Sequence, residues 1–387
     1  MPPIRVLHVC TTLLTACTFI APVARFLSAR GYEVAITCST DSAADGPEGQ
    51  SVHTIHGCPV YSVPIARTIR PFQDLLATWR LYRLIRRHRP TIVHTQTSKA
   101  GVIGRVAARL AGAPVIVHTA HAFPFHPYLP LPIRRLYVVI ERWAAALADL
   151  VLVDTHSVRA DGLRERVADP DKLVVVPMGL DLTKFSPAQE GGRLRHELGI
   201  DRVALVVGTV ARLVPDKGLD CFLQMAARIR ATRADVRFLV VGDGPLRDHL
   251  ERLAAEFGLA HTVVFAGHRS DVPECMNLMD LFVLPTRREG FGVVFAEAMA
   301  MGKAVIGSRI GPVAEVVEEG VTGYLAPPDQ PEEFAQLALE LLADESKRRA
   351  FGEAGRLRVE KYFGEARMCE AIESHYRRLL AMKGIAA

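Results

Sequence analysis

Two doubly wound α/β domains in tandem are predicted for this chain by three observations. Its 387 residues suit two domains better than one, because a domain usually has about 100–200 residues. Short apolar runs alternate with longer helical patterns, which is typical of parallel sheets covered by helices on both faces. The alternation stops in a turn-rich segment, Pro177–Pro187, and then restarts. The predicted boundaries are residues 1–185, residues 186–364 and a closing segment at residues 365–387.

The predicted elements follow the order of the chain. Strands of the first domain are expected at Arg5–Val9, Glu33–Cys38, Thr91–His94, Val115–His118, Leu150–Val153 and Leu173–Val176. Strands of the second domain are expected at Val203–Thr209, Arg237–Val241, Val263–Phe265, Leu281–Leu284 and Ala304–Gly307. A helix that no strand follows is expected from Glu365 to Met382.

One uncharged segment, Val6–Ala24, has the charge pattern of a signal peptide or a membrane anchor. His8, four threonines and Pro22 interrupt its apolar character, so a strand, a turn and a helix from about residue 21 to residue 30 are the better prediction. No other stretch is long enough to span a bilayer, and we therefore predict a soluble protein.

The composition is that of an ordinary globular protein, with 49% hydrophobic, 23% charged and 7% aromatic residues. Disordered, collagen-like and coiled-coil chains are excluded by these values. The seven cysteines are scattered and form no Cys-x-x-Cys pair, so neither a disulfide framework nor a zinc site is expected. Reduced thiols and a cytoplasmic location fit this usage.

The net charge of +5 is unevenly distributed. Residues 1–185 hold 21 Lys and Arg against 13 Asp and Glu, whereas the remainder holds 26 against 29. A basic half joined to a mildly acidic half indicates that the first half faces an anionic partner. No nucleic-acid-binding module accompanies the basic residues, so a nucleic acid is not the expected partner.

A basic helix is predicted from about Phe72 to His88, inside a stretch from Arg67 to Arg109 that has ten basic residues and one acid. One face carries Arg80, Arg83 and Arg87, and another carries Leu75, Trp79, Tyr82 and Ile85. This pattern suits a helix that lies on an anionic membrane. It suits equally an ordinary surface helix whose apolar stripe enters the core.

The strongest motif follows the predicted strand Leu281–Leu284 and reads Pro285-Thr-Arg-Arg-Glu289-Gly290-Phe291-Gly292-Val293-Val-Phe-Ala-Glu297. A glycine-rich turn that leads into a helix presents backbone N–H groups to a phosphate or a sugar hydroxyl. Glu289 and Glu297 are placed to accept paired hydrogen bonds from vicinal hydroxyls. The alternative is that both glutamates are solvated helix charges.

A second motif lies after the predicted strand Val203–Thr209, where Arg212 and Lys217 precede a helix. Two cations at the carboxyl end of a strand would neutralise a diphosphate leaving group without a metal ion. The alternative is a pair of surface charges. The strand-end turn Gly242-Asp-Gly-Pro245 is weak evidence by itself.

Together these motifs resemble the donor-binding half of family 4 glycosyltransferases, in order over residues 200–330. The resemblance is carried by Arg212…Lys217-Gly218, Gly242-Asp-Gly-Pro245, Glu289 with Glu297, and Gly320-Val-Thr-Gly323-Tyr-Leu. In the first half, His118-Thr-Ala-His121-Ala-Phe-Pro-Phe resembles the histidine loop of the family, Val174–Asp181 its hinge and Phe363–Ala381 its crossing-back helix.

The resemblance implies the GT-B fold, in which two Rossmann-like domains face each other. It also implies that residues 1–185 bind the acceptor, that residues 186–364 bind the nucleotide sugar, and that the last helix packs back on the first domain. The implied reaction is a retaining transfer that requires no cofactor and no metal.

The same resemblance implies roles for individual residues. Arg212 and Lys217 would bind the donor diphosphate, Glu297 the ribose, and Glu289 the hydroxyls near C3 and C4 of the transferred sugar. His121 would lie at the reaction centre near the C6 hydroxyl, although it could instead pack in a cluster with its histidine and phenylalanine neighbours. The remaining donor-binding residues would be Gly242, His268, Arg269, Gly290, Phe291, Gly292 and Val293.

Three positions depart from the pattern of the family. Leu14–Thr18 stands where many members have a Gly-Gly pair, so close approach of the backbone to a ligand is in doubt there. Met178 replaces a common Asn in the hinge, and Ala122 replaces a common Gly after the loop histidine. Contacts to the acceptor or to an anion are expected at Thr15, Ser98 and Lys99.

An Asp-x-Asp sequence occurs at Asp169-Pro-Asp171. In another glycosyltransferase fold this motif binds a divalent ion. Here it lies between a predicted helix and a predicted strand, which is the place of a plain turn. No metal is expected at this position.

The expected function is transfer of a hexosyl group from a nucleotide-diphosphate sugar to a lipid-linked or polysaccharide acceptor in envelope-polysaccharide or glycolipid biosynthesis. Two alternatives remain open at this point. One is the same transfer to a small soluble acceptor, and the other is a non-catalytic nucleotide-sugar-binding subunit of a polysaccharide assembly complex.

Overall fold

The computed structural model describes residues 3–40, 51–66, 68–187 and 192–386. The chain divides into two compact units. The first unit comprises Met1–Pro177 together with Ala366–Ala387, and the second comprises Met178–Glu365. Arg67, which begins the basic stretch of the sequence, lies outside the described residues.

The strands of the first unit are β1 (Arg5–Thr12), β2 (Glu33–Ser39), β3 (Ser51–Ile55), β4 (Cys58–Ser62), β5 (Ile92–Gln96), β6 (Val115–Ala120), β7 (Leu150–Val153) and β8 (Leu173–Val175). They form one sheet in the order β3-β4-β2-β1-β5-β6-β7-β8. β3 pairs antiparallel with β4, and the other neighbours pair in parallel. The helices are α1 (Leu13–Thr15), α2 (Ala21–Ala29), α3 (Pro71–His88), α4 (Ser98–Ala111), α5 (Leu131–Ala146), α6 (His156–Arg164) and α15 (Glu365–Met382).

The strands of the second unit are β9 (Leu205–Val210), β10 (Val236–Val241), β11 (Val263–Gly267), β12 (Leu281–Leu284), β13 (Ala304–Ser308) and β14 (Gly323–Ala326). They form a parallel sheet in the order β11-β10-β9-β12-β13-β14. The helices are α7 (Gly192–Glu197), α8 (Leu219–Thr232), α9 (Arg247–Glu256), α10 (Val272–Leu278), α11 (Val293–Ala300), α12 (Gly311–Val316), α13 (Pro331–Ala343) and α14 (Glu345–Tyr362).

The predicted α/β fold class is confirmed, and every predicted strand occurs within a few residues of its expected bounds. Three strands were not predicted, namely β3, β4 and β14. Each is short and carries a polar, proline or glycine residue, so its apolar run is too brief to stand out. Val203, which was expected to open β9, is exposed, and the strand begins at Leu205.

Helices cover both faces of the first sheet. The connection from β1 to β2 runs toward the β3 edge of the sheet, whereas the connections from β4 to β5, and onward to β8, run toward the β8 edge. Right-handed crossovers therefore place α3, α4, α5 and α6 on one face and α2 on the opposite face. The core between the first group and the sheet contains Leu7, Val93, Ile116 and Val151.

Helix α15 packs within the first unit through polar as well as apolar contacts. The Tyr376 hydroxyl lies 2.5 Å from Nδ1 of the buried His94. Glu373 pairs with Arg30 at 3.1 Å, and Lys383 pairs with Asp149 at 2.8 Å. Helix α15 is thereby fixed to the end of α2, to β5 and to the residue that precedes β7.

The segment between β1 and α2 is helical throughout, and the predicted turn there is wrong. α1 continues into a π-helix, Ala16–Ile20, in which the N–H of Ala21 donates to the carbonyl of Ala16. Pro22 has no N–H to continue a regular ladder at this point, which favours the wider turn. Cys17 on this π-helix is exposed, whereas the other six cysteines are buried.

A buried ion pair joins α4 to α5. Arg105 and Glu141 have almost no exposed side-chain surface, and their charged groups lie 3.2 Å apart. Arg105 also donates through Nε to the carbonyl of Gly101 at 2.9 Å. Burial lowers the pKa of Arg105 and raises that of Glu141, although each charge partly offsets the shift of the other. Each charge in this core therefore depends on its partner.

None of the described helices combines the length and the apolar character that a transmembrane helix needs.

Candidate active site

The second unit has one crevice where its fold favours ligand binding. The chain leaves β9 to form β10 on one side, and β12 lies on the other side, so the strand order reverses between β9 and β12. Ligands of doubly wound sheets bind at the carboxyl ends of the strands at such a point. The loops that follow these two strands, residues 211–218 and 285–292, carry most of the predicted donor-binding residues.

These two loops hold each other in place. The backbone N–H of Arg287 donates to the carbonyl of Asp216 at 2.7 Å, and its guanidinium donates to the carbonyl of Pro215 at 2.7 Å. Gly218 has φ +64°, and a Cβ there would lie 1.9 Å from the carbonyl oxygen of Pro285. Only glycine permits this close approach of the two loops.

The predicted charged residues meet in this crevice. Nζ of Lys217 lies 2.6 Å from Oε1 of Glu289, and both side chains are mostly buried. Arg212 comes from the same loop as Lys217 and is exposed. Among the residues that the structure describes, none forms an ion pair or side-chain hydrogen bond with its guanidinium. Of the two cations predicted to bind the diphosphate, Lys217 is thus in an ion pair, whereas Arg212 remains open to an anionic ligand.

The Gly-Asp-Gly-Pro turn supports the loop that carries Arg212. A Cβ on Gly242, which has φ +129°, would lie 2.0 Å from the carbonyl oxygen of Ala211. A Cβ on Gly244 would lie 2.5 Å from the carbonyl oxygen of Leu213, whose N–H donates to the turn at Asp243. These contacts give the two glycines a packing role beside the binding role predicted for Gly242.

Helix α11 begins at the same crevice. Gly292, with φ +86°, precedes its first residue, Val293. The first N–H groups of a helix have no acceptor within the helix and are available to a ligand. Phe291 is buried, and its ring packs edge-on against that of Phe363 with centroids 5.2 Å apart. This contact holds the Phe291 ring in the interior, directly after Gly290 in the turn.

Glu297 lies in the second turn of α11 and is partly buried. Burial raises its pKa to about 7, although the charge of Lys184 acts in the opposite direction. No described residue donates a hydrogen bond to this carboxyl group. A carboxyl group without a protein donor is suited to accept hydrogen bonds from ligand hydroxyls.

Two of the predicted donor-binding residues, His268 and Arg269, lie after β11. His268 is exposed there. Arg269 binds two carboxylates, with Glu197 at 2.7 Å and Asp271 at 2.6 Å. The guanidinium of Arg269 is therefore already paired with carboxylates of the same unit.

A second group of polar residues lies at the carboxyl edge of the first sheet. β1 lies between β2 and β5, which makes the gap between β1 and β5 the equivalent point of reversal. Oγ1 of Thr11 and Oγ1 of Thr97 meet across this gap at 2.6 Å. Thr97 has φ +64°, a costly conformation for a β-branched residue, of the kind that accumulates at functional sites.

His121 belongs to this edge and not to the core. Its neighbours Phe123 and Phe125 are buried and stacked at 4.9 Å, and His118 is buried against Thr95. The side chain of His121 is 23% exposed, and Nδ1 lies 2.9 Å from Oδ2 of Asp154.

Three partners of His121 were not predicted from the sequence, namely Asp154, Gln96 and Phe19. Gln96 Oε1 lies 3.3 Å from Nε2 of the histidine. Asp154 and Gln96 are polar residues at or directly after the ends of strands, and that position was the available signal for them. Phe19 had no such signal, because its place depends on the π-helix.

Two of the three residues predicted to contact an acceptor or an anion have partners within the unit. The ammonium of Lys99 pairs with Asp74 at 2.6 Å and donates to the carbonyl of Thr68. The hydroxyl of Thr15 lies 2.9 Å from that of Thr12. Ser98 is exposed at the start of α4.

The Asp169–Asp171 segment is an exposed turn between α6 and β8, in which the N–H of Lys172 donates to the carbonyl of Asp169. In the described parts of the chain, no three carboxylate, histidine or cysteine side chains come together as they would around a metal ion.

Solved structures of similar fold include sucrose-phosphate synthase from Thermosynechococcus elongatus, with a TM-score of 0.85 and 21% identity over 98% of this chain and 100% of that one. HepE of Anabaena, solved in complex with UDP, has a TM-score of 0.79 and 21% identity over 97% of this chain and 100% of that one. These similarities identify the fold as GT-B, the fold of a large class of glycosyltransferases.

Sequence similarity identifies the family within this class of glycosyltransferases. Residues 17–179 match the model of the glycosyl transferase 4-like domain, and residues 192–358 match that of glycosyl transferases group 1. An Escherichia coli UDP-Gal:α-D-GlcNAc-diphosphoundecaprenol α-1,3-galactosyltransferase is 33% identical over 67% of this chain and 68% of its own. The capsular polysaccharide glycosyltransferase CapM of Staphylococcus aureus is 28% identical over 92% of both chains. This chain belongs to glycosyltransferase family 4.

Proposed function

We propose that this glycosyltransferase moves a hexosyl group from a nucleotide-diphosphate sugar to a lipid-linked or polysaccharide acceptor, with retention and without a metal ion. The observation that carries the proposal is the crevice between β9 and β12, where Arg212, Lys217 and Glu289 lie beside the start of α11. The lipid-linked acceptor in the name of the Escherichia coli relative, and the capsular polysaccharide biosynthesis in that of the Staphylococcus aureus relative, support the choice of acceptor.

The nucleotide sugar would be held by cationic side chains at its diphosphate and by carboxyl groups at its hydroxyls. Arg212 and Lys217 bind the diphosphate, whose negative charge grows as the sugar departs, and two fixed cations stabilise that charge in place of a metal. The carboxyl group of Glu297 accepts hydrogen bonds from the ribose hydroxyls. Glu289 binds sugar hydroxyls while its charge is balanced by Lys217.

The reaction would be a displacement on one face of the sugar. The bond from the anomeric carbon to the diphosphate oxygen breaks as the bond to the acceptor oxygen forms. The acceptor proton passes to the departing diphosphate, which is close to the incoming hydroxyl on that face. Retention follows from this geometry without a covalent intermediate.

A thermal-shift screen with UDP-, GDP- and ADP-sugars would identify the donor, and hydrolysis of that donor without acceptor would test for catalysis. Binding without hydrolysis or transfer would favour a non-catalytic nucleotide-sugar-binding subunit. NMR of the first-formed product should show the anomeric configuration of the donor, and an inverted product would refute the mechanism. Activity should persist in excess EDTA, whereas its loss and recovery with a divalent ion would refute metal independence.

We further propose that the first unit contacts an anionic membrane at the cytoplasmic surface through α3. The buried face of this helix consists of Ala77, Leu81, Leu84 and Ile85, so only Ile85 of the predicted apolar stripe is buried. The opposite face is exposed, with 90% exposure of Phe72 and 70% of Leu75. Exposed apolar side chains flanked by arginines suit the interface of an anionic bilayer.

Helix α5, which covers the same face of the sheet as α3, also exposes apolar residues. Leu136, Val139 and Trp143 lie at helical spacing on α5, and all three are exposed. On α3, the guanidinium of Arg83 lies over the exposed ring of Trp79, 4.7 Å from its centroid. Both helices thus combine an aromatic residue with apolar neighbours, as membrane-interface segments do.

Flotation with vesicles of anionic phospholipid would test the membrane contact. Replacing Arg80, Arg83 and Arg87 together with glutamine should release the protein, because basic residues near such a surface contribute about 1 kcal/mol each. A matched control removes three exposed charges from the second unit by changing Arg202, Arg252 and Lys361 to glutamine. Equal flotation of all three proteins at low salt would refute the contact and favour a soluble acceptor.

A further inference from the structure

His121 and Asp154 form a pair whose geometry follows from the sheet. His121 directly follows β6 and Asp154 directly follows β7, and these strands are parallel neighbours. Their side chains therefore meet at the carboxyl edge, with Nδ1 and Oδ2 2.9 Å apart. The side chain of Asp154 is only 3% exposed, so this carboxylate is withdrawn from water and directed at one partner.

The other sides of the imidazole are also occupied. Gln96 lies 3.3 Å from Nε2 and comes from the end of β5. The ring of Phe19 lies against the imidazole, with centroids 4.8 Å apart and planes inclined by 33°. The ring of His121 is thus restrained by contacts from three different elements, and its Nε2 side is left for a ligand that takes the place of the long Gln96 contact.

Charge enters this environment through Asp154. Burial by itself lowers the pKa of His121, but the charge of Asp154 and its hydrogen bond raise the pKa above its ordinary value. The nearby imidazoles of His94 and His118 are fully buried, and burial holds their pKa values well below the ordinary value. Among the described residues that pack around His121, Asp154 is therefore the charged group that favours the protonated imidazole.

We propose that Asp154 is a positioning residue that fixes His121 with Nδ1–H bonded to the carboxylate and Nε2–H presented as a hydrogen-bond donor to a hydroxyl of the substrate. The inference rests on the proposed function, because that function supplies the sugar hydroxyl to which Nε2–H would donate. It assigns the task of orientation to Asp154, which neither motif nor resemblance pointed to. No covalent step is involved, and the proton on Nε2 stays on the histidine.

A purely structural role for Asp154 makes different predictions, since the residue also precedes Thr155, the N-cap of α6. Asp154→Asn keeps the size of the side chain and removes its charge. If Asp154 acts through His121, its replacement should matter only while the imidazole is present. A double-mutant cycle with His121→Ala separates the two roles.

The experiment measures kcat and KM for transfer from the donor that the screen identifies. Asp154→Asn should lower kcat by tenfold or more, leave KM for the donor within about twofold, and move the alkaline limb of the pH–rate profile to lower pH. In the His121→Ala background the same change should alter kcat by less than about twofold. An equal loss of kcat in both backgrounds, or none in either, would overturn the proposal.

NMR supplies a readout that does not require activity. The imidazole signal of His121, assigned by its absence in His121→Ala, should titrate above the ordinary range in the parent and well below it in Asp154→Asn. Asp154→Glu keeps the charge and should preserve part of the elevation, which covers the case in which the asparagine variant fails to fold. Asp161→Asn, on the exposed surface of α6, is the matched control and should change nothing.

The two hypotheses fail in different ways. If the parent protein neither hydrolyses nor transfers any nucleotide sugar, the proposed function fails, while the titration still decides whether Asp154 controls His121. If the parent is active and the His121 signal titrates equally in the parent and in Asp154→Asn, only the positioning role is refuted.

Discussion

Lys217→Ala tests the donor site most directly, because the structure defines two separate consequences of the change. A charge-assisted hydrogen bond to phosphate contributes about 1.5–3 kcal/mol, which corresponds to roughly 10- to 150-fold in affinity. The substitution also leaves Glu289, whose side chain is 10% exposed, without the ammonium that lies 2.6 Å from it. Two like charges about 4 Å apart near a protein surface repel by about 4 kcal/mol. The loss of affinity should therefore exceed that of the hydrogen bond alone.

Titration calorimetry with the nucleoside diphosphate of the identified donor measures both consequences. Lys217→Ala should bind at least tenfold more weakly than the parent, and the Lys217→Ala/Glu289→Gln double variant should recover part of that loss because it removes the unbalanced carboxylate. Lys361→Ala, an exposed lysine of the same unit, should bind normally. Unchanged affinity in Lys217→Ala, or a double variant no better than the single one, would refute the reasoning.

Three further predictions concern binding and stability. Glu297, whose pKa is raised to about 7, is mostly neutral at pH 6 and mostly ionised at pH 8. Calorimetry should therefore show that the nucleoside diphosphate binds about tenfold more weakly at pH 6 than at pH 8. Glu297→Gln should remove that part of the pH dependence, and an unchanged profile would exclude the role of Glu297 in ribose binding. Gly218→Ala should weaken nucleotide binding in the same assay by separating the two loops, whereas Gly320→Ala, which also has a positive φ but open space around it, should not. Glu141→Ala should reduce the free energy of unfolding in urea by about 3–5 kcal/mol, while Arg105→Met/Glu141→Leu should stay close to the parent; equal losses in both would show that the buried pair itself stabilises the unit.

The sequence predicts those parts of the fold that depend on local pattern. The strands Leu150–Val153 and Leu281–Leu284 and the last helix occur at the predicted bounds, because each is a sustained apolar or amphipathic run. Strands β3 and β14 lie at sheet edges, where only one neighbour needs a matching partner and the apolar run can be brief.

The candidate site was predictable only where residues share a loop or a motif. Lys217 and Glu289 follow two different strands, and their ion pair at 2.6 Å was not predicted from the sequence. Asp154 was missed because its partner His121 is 33 residues away and the sequence does not show that β6 and β7 are neighbours. The packing role of Gly242 was missed for the same reason, since it depends on the carbonyl of Ala211 in another loop.

Helix α3 shows a limit of a different kind. Periodicity shows that the helix carries apolar residues, but it does not show which face of the helix is covered. Leu81 and Leu84 are buried, while Phe72 and Leu75 lie on the opposite side of the helix and are exposed. One face therefore contributes to the core and another to the proposed membrane surface.

The exposed thiol on the π-helix makes the native chain suitable for site-specific labelling. Cys17 is accessible while the other six cysteines are buried, so a maleimide fluorophore should attach at one position in the folded protein. Burial and the neighbouring Cys38 thiol raise the pKa of Cys17, and mildly alkaline buffer should therefore speed the reaction. Because Phe19, two residues further along, contacts His121, the dye would report changes at that edge of the sheet without an engineered cysteine.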